Sequence, residues 1–208
     1  MFQLIKKDIL FNWKWALLLV VVAVFFPVVF CLDEFETRLT LWVYILGVML
    51  ANSHLVSKSC YLDDSMQTRR FLAALPVTKA QLIASKYALG LLSMVVSLSL
   101  TSLSALSLGL QPSIQSVQIS AIYLLLYYAV FLGAYFRTNY SNAEKMHTAL
   151  IMLTIMSLFS IDRSGIHLDR MVIDPIALLS GLGLCVLIFA ASMFFSIFYS
   201  NRFLTGNE

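Results

Sequence analysis

The sequence predicts an all-α polytopic membrane protein: six transmembrane helices, an interfacial helix at the amino terminus, and a surface helix between spans 2 and 3. Three observations carry that class. First, six apolar stretches run through the 208 residues with no charged side chain inside any of them: Ala16–Leu32, Leu39–Ser53, Tyr87–Leu110, Ile119–Phe136, Thr148–Ile161 and Ile176–Tyr199. A helix crosses the hydrocarbon with about 20 apolar residues, ~17–25 being usual. Four stretches meet that length, and the second and fifth reach it with flanking residues. Second, 60% of residues are hydrophobic and 12% charged, with mean hydropathy +0.86, where soluble domains hold ~25% charged. Third, the cations segregate between alternate loops.

That segregation sets the orientation, because lysine and arginine collect on the cytoplasmic side. With the amino terminus inside, the inner face holds Lys6, Lys7, Lys14, Lys58, Arg69, Arg70, Lys79, Lys86, Arg137, Lys145 and Arg202. The outer face holds Arg38, Arg163 and Arg170, outnumbered by Asp33, Glu34, Glu36, Asp162, Asp169 and Asp174. Both termini are therefore read as cytoplasmic. The net charge of +3 averages two opposite faces and does not suggest nucleic-acid binding. The first span is long for a signal peptide and its end offers no A-x-A-like site, so it reads as retained. Cys31, Cys60 and Cys185 lie at different depths, and no disulfide framework is expected. Residues 1–208 are read as a single membrane domain.

Met1 to Trp13 predicts a short amphipathic helix in the headgroup region. Phe2, Ile5 and Ile9 share one face, and Gln3, Lys6, Lys7 and Asp8 are polar. A frayed first turn of span 1 is the plainer reading. Pro27 falls late in span 1, where it is expected to kink the helix. Between Ser57 and Ala74 the longest hydrophilic stretch predicts a separate amphipathic helix along the inner surface. Leu75-Pro76 breaks that helix. Thr78 and Gln81 then fit a capping box, with Val77 and Leu82 as its staple, so span 3 starts near Lys79.

Span 3 is rich in hydroxyls. Ser93, Ser97, Thr101, Ala105 and Gly109 recur every four residues, a ridge of small side chains against which another helix packs closely. A substrate-facing polar stripe, with Ser93, Ser97 and Thr101 lining a path, is the alternative. Ser192, Ser196 and Ser200 repeat the pattern in span 6. Ser141 and Glu144 offer a capping pair for span 5, and Asp174-Pro175 a start for span 6.

The residue inventory excludes several chemistries. Proton and ion relays retain ionisable groups at mid-membrane despite a cost of about 2.5–3.5 kcal/mol each, and no such group occurs here. The histidines, His54, His147 and His167, form no H-E-x-x-H pattern, and no nucleophile with a base lies on a span. No P-loop is present. No catalytic residue, metal site or bound cofactor is expected, and transport against a gradient would need energy from a separate protein.

Between spans 2 and 3 the residues Tyr61-Leu62-Asp63-Asp64-Ser65, Arg69-Arg70-Phe71, Leu75-Pro76-Val77-Thr78-Lys79 and Lys86-Tyr87 occur in this order. They resemble the corresponding region of small ABC-2-type transporter permeases, membrane subunits without a fused ATPase. An acidic pair, an "LP-V/I-S/T-R/K" turn and a following "K-Y" recur there, though Asp-Asp stands here where a Glu is frequent. The resemblance implies a single permease domain with a coupling helix at residues 57–75, which docks in a cleft of the ATPase. Tyr61, Asp63, Asp64, Ser65, Met66, Arg69, Arg70 and Phe71 would make that contact, and Lys79 would pass the motion into span 3.

It further implies a non-enzymatic subunit of the bacterial plasma membrane, paired with a second permease copy or sibling and with two ATP-binding subunits that hold ATP and Mg. Related permeases include exporters of antimicrobial or phenol-soluble-modulin-type peptides and self-protection systems. The expected cargo is therefore an amphipathic or hydrophobic peptide or similar compound. The competing class is a non-transporting membrane sensor or assembly protein whose cytoplasmic helix recruits a regulator.

Overall fold

The computed structural model describes residues 2–32, 47–65, 68, 72, 76–109, 114–163 and 174–199. These form α1 (Phe2–Phe11), α2 (Trp13–Leu32), α3 (Met49–Asp64), α4 (Lys79–Ser107), α5 (Ile114–Arg137), α6 (Tyr140–Arg163) and α7 (Pro175–Tyr199). No strand occurs among the described residues. The helices α4, α5 and α7 are each long and apolar enough to cross a membrane, and a fourth crossing comes from α1 and α2 if that pair is counted as one broken span.

The breaks are chemical. Asn12 turns the chain between α1 and α2: its side-chain amide donates to the Asp8 carbonyl at 2.9 Å, while its own carbonyl accepts from Trp15 and Ala16. The two segments meet at 78°. Continuing α2 runs through Pro27. At the head of α4 the capping box forms as its sequence predicts, Gln81 N–H donating to Thr78 Oγ1 and Thr78 N–H to Gln81 Oε1. Val77 packs on a small cluster of Leu4, Leu72 and Leu82. At its foot, Gly109 adopts φ 77°, a left-handed conformation that a Cβ would penalise. It therefore ends α4 and does not extend the packed ridge. Asp174 caps α7 by accepting the Ile176 N–H, with Pro175 as first residue.

Two expectations change. The cap of α6 is Asn139, whose side chain accepts the Asn142 N–H at 2.9 Å, and Glu144 instead meets the Tyr140 hydroxyl. The segment from Ser57 to Asp64 is not a separate surface helix. It is the last two turns of α3, which breaks only at Ser65, where ψ swings to 140°. Val56, Ser57, Ser59, Cys60 and Asp63 all point inward, so the stripe that starts within the bundle continues past Ser57. Beyond the break Ser65 Oγ accepts the Thr68 N–H, the arrangement of a helix N-cap. The remainder of the expected 57–75 helix lies largely outside the described residues.

Packing centres on α4, which touches α1, α2, α3, α5 and α7, while α5 and α7 share the most extensive contact. The core between them is aromatic: Tyr87, Tyr127, Tyr128, Phe131, Tyr135, Phe136 and Phe189. Gly133 lets α7 approach, for a Cβ there would lie 3.0 Å from Ser192 Oγ. Ser192 is not free to retreat, because its hydroxyl donates to the Ala129 carbonyl at 2.6 Å. Gly133→Ala is expected to cost about 1–3 kcal/mol through overpacking. Gly183→Ala, with open space around it, should be neutral or mildly stabilising by helix propensity. Thermal midpoints of the purified variants in detergent check both, and equal midpoints for the two would contradict the packing.

Candidate functional site

Four charged side chains meet where α1, α3 and α4 converge. Lys86 stands on the apolar stripe of α4, one turn from Leu82 and one from Gly90, and is almost wholly buried. A buried ammonium is tolerable only when paired and fully hydrogen-bonded. Its three hydrogens go to Asp8 Oδ2 at 2.9 Å, Ser59 Oγ at 2.5 Å and the Ser59 carbonyl at 3.2 Å. With its donors so committed, it meets Asp63 Oδ2, 2.5 Å away, as a charge contact.

The ring closes through Lys7. Its ammonium lies 2.8 Å from Asp63 Oδ1 and 3.2 Å from Asp8 Oδ1. Each carboxylate thus bridges both cations, Oδ1 to Lys7 and Oδ2 to Lys86, and the four charges sum to zero. Lys7 reaches the ring from a partly exposed position, whereas Asp8, Asp63 and Lys86 have almost no accessible surface. Burial alone would push the Asp63 carboxyl up, but the Lys86 and Lys7 charges outweigh it and hold the group below its ordinary value. Neighbouring Cys60 is fully buried, and burial pushes its thiol up, which removes the thiolate that reactive cysteines need.

The coupling residues expected from the sequence divide around this ring. Tyr61 is half exposed, with its ring 5.2 Å from Tyr140 and the Lys58 ammonium 5.2 Å above it. Ser65 is exposed and Asp64 half-buried. Asp63 points inward, which corrects its reading as a surface charge: Lys86 and Lys7 draw it into the junction. Asp8 likewise leaves the polar face of α1 for the core. Met66, Arg69, Arg70 and Phe71 lie outside the described residues.

The hydroxyl ridge of α4 faces its neighbours. Ser93 donates to the Gly90 carbonyl, so Tyr128 is the donor in their 3.2 Å bond. Ser97 donates to the Met94 carbonyl and accepts from Asn52 Nδ2 at 2.7 Å. Thr101 Oγ1 and Asn52 Oδ1 are buried without a hydrogen-bond partner. On α7, Ser192 has spent its hydrogen on Ala129, so Tyr87 donates to Ser192 and accepts from Ser196. His147 and His54 are engaged as well: Tyr127 Oη sits 2.6 Å from His147 Nδ1, and His54 stacks on Trp15. Among the described residues no group of three or more His, Cys, Asp or Glu side chains could hold a metal ion.

A sequence profile of ABC-2 family transporter proteins matches residues 3–200. The chain belongs to that family. Comparison with curated proteins and with solved structures found no match. As an ABC-2 family protein it is a membrane component of a transporter, and two members of the charge ring, Asp63 and Lys86, belong to the stretch in which the family resemblance was strongest.

Three outcomes test the geometry. Lys86→Met strands two buried carboxylates on one cation and is expected to cost about 3–5 kcal/mol, whereas Asp8→Leu/Lys86→Met, which leaves the Lys7–Asp63 pair, should recover most of it. A carboxylate whose folded pKa is depressed adds stability above its unfolded value and loses it as pH falls through the folded one. For Asp63 that loss lies below its ordinary 3.8, so the gap in thermal midpoint between wild type and Asp63→Asn should hold level through neutral pH and narrow only in acid below that value. In the ridge, Ser97→Ala removes a partner of Asn52 and should cost roughly 0.6–2 kcal/mol. Thr101→Val removes a hydroxyl without a partner and should be neutral or stabilising. The reverse order of those two variants would contradict the assignment of the hydrogen bonds.

Proposed function

We propose that this chain is the permease subunit of an ATP-binding-cassette exporter, driven by separate ATPase subunits that dock on the segment following α3. Family membership over residues 3–200 is the observation that carries the reading. The local structure supports it. After the buried face of α3 ends, Tyr61, Leu62 and Ser65 are exposed, and Pro76 to Thr78 returns the chain directly into α4. A partner pressing here acts on a short lever whose two ends are α3 and α4. An exposed tyrosine beside charges of both signs is a common anchor for a protein partner.

In this reading six spans cross the plasma membrane with both termini inside. The second span is Leu39–Ser53 with flanking residues, which takes in the head of α3, and the fifth is Thr148–Ile161 within α6. Two permeases, identical or sibling, pair with two ATPase subunits. ATP binding closes the ATPase pair, and its binding energy shifts the permeases towards an outward-open arrangement. A mostly apolar interior and short outer loops suit amphipathic or hydrophobic peptides or similar compounds leaving from the inner leaflet.

Co-purification tests the reading. The tagged chain, purified from its native membrane, should retain an ABC ATPase. Tyr61→Ala and Asp64→Lys should each weaken the association about tenfold or more, as for anchor residues at other interfaces, with thermal midpoints close to wild type. A chain that purifies without an ATPase, or one that retains it undiminished in both variants, would overturn the docking role.

A further inference from the structure

We infer that the Lys7–Asp8–Asp63–Lys86 ring makes α1 a moving part of the transmission, locked to the end of α3 and the head of α4 as one block. The inference rests on the docking reading above and deepens it. Motion entering at residues 61–78 has two routes into the bundle: along the backbone at Ser65 and Thr78, or through side chains that bind the elements together. The backbone route is poor. Ser65 and Thr78 both have extended dihedrals, with ψ of 140° and 150°, so each end of the segment is a change of direction and not a continuous rod.

The side-chain route is strong. Asp63 lies one residue from the end of α3 and Lys86 two turns into α4, and adjacent residues of α1 hold them, Lys7 the first and Asp8 the second. Pulling α3 or α4 away strands Asp63 or Lys86 without a counter-ion, which costs several kcal/mol, and pulling α1 away breaks the Asp8–Lys86 and Lys7–Asp63 pairs together. Leu4, Leu72, Leu82 and Val77 close the same junction on its apolar side. Each carboxylate bridges two cations, so the ring resists shear in two directions, which a single ion pair does not.

Lys86 is therefore a positioning residue. Acting through Asp8, Asp63 and Ser59, it fixes how far α1 and α4 travel with the docking segment. Lys79, to which the sequence assigned that task, begins α4 outside the ring. The amphipathic α1 lies at 78° to α2. Displaced as part of the block, it levers the inner end of α2 through the Asn12 corner.

The test uses the permease–ATPase complex in lipid nanodiscs, with spin-label pairs at exposed positions and ATP trapped by vanadate, so no cargo is needed. One pair joins Gln3 of α1 to Ala80 of α4, and the other joins Gln3 to Met146 of α6. On trapping, the α1–α4 distance should stay constant while the α1–α6 distance changes by more than about 2 Å, the upper end of ordinary helix shifts. In Asp8→Leu/Lys86→Met, which keeps a neutral and packed junction, the ATPase should remain bound while the α1–α6 change falls to half or less. A wild-type α1–α4 distance that changes as much as the α1–α6 distance would overturn the inference. So would an α1 that stays still against both, or a double variant that transmits the full displacement. Loss of ATPase binding from the wild-type chain is a separate result, and it counts against the docking reading instead.

Discussion

Everything at the basic end of this bundle depends on how one buried ammonium is neutralised. Lys86 sits where a leucine or alanine would extend the apolar face of α4. Its charge there is tolerable because Asp8, Asp63 and Ser59 surround it. That requirement explains three features otherwise unconnected: why Asp8 leaves the polar face of the amino-terminal helix, why α3 stays buried as far as Asp63, and why three helices converge on one point. An apolar contact of equal area would hold the helices with less directional demand. The ring fixes their register, since moving any of the four side chains by one turn leaves a charge unpaired.

Further along α4 the same logic operates with hydroxyls. Ser93, Ser97 and Tyr87 each bind a different neighbour: Tyr128 on α5, Asn52 on α3, and Ser192 with Ser196 on α7. In an apolar surround these bonds specify which helices meet and at what height, although each contributes little energy. The helix that receives the docking segment is thus also the one that packs against five of the other six described helices. Displacement at its head therefore reaches α2, α3, α5 and α7 directly.

Much of the fold was legible because the bilayer imposes long apolar runs, and α4, α5 and α7 follow them closely. The cap of α4 was legible because Thr78 and Gln81 are local partners. The ring was not, since its members come from three stretches of sequence, Lys7 and Asp8 lying 55 or more residues from Asp63, and Asp63 a further 23 from Lys86. One signal was available: Lys86 falls at helical spacing between Leu82 and Gly90, on the face that Ser93 and Ser97 continue, so a cation there needed an acid from another helix. Reading residues 57–64 as a surface helix failed for the same reason. Their polarity suggested water, but Ser57, Ser59 and Asp63 are polar because they meet Tyr140 and Lys86 inside. The cap of α6 was misplaced by two residues because Asn139 and Ser141 are both good caps, and tertiary contact of Tyr140 with Ser57 chose between them.

The measurement that bears most directly on the account is hydrogen–deuterium exchange of the full chain in nanodiscs, with and without its ATPase. The account predicts that the amides of α1 exchange as slowly as those at the head of α4, and that the ATPase adds protection at residues 61–78. An α1 that exchanges like a frayed terminus, or protection confined to the opposite end of the bundle, would contradict it.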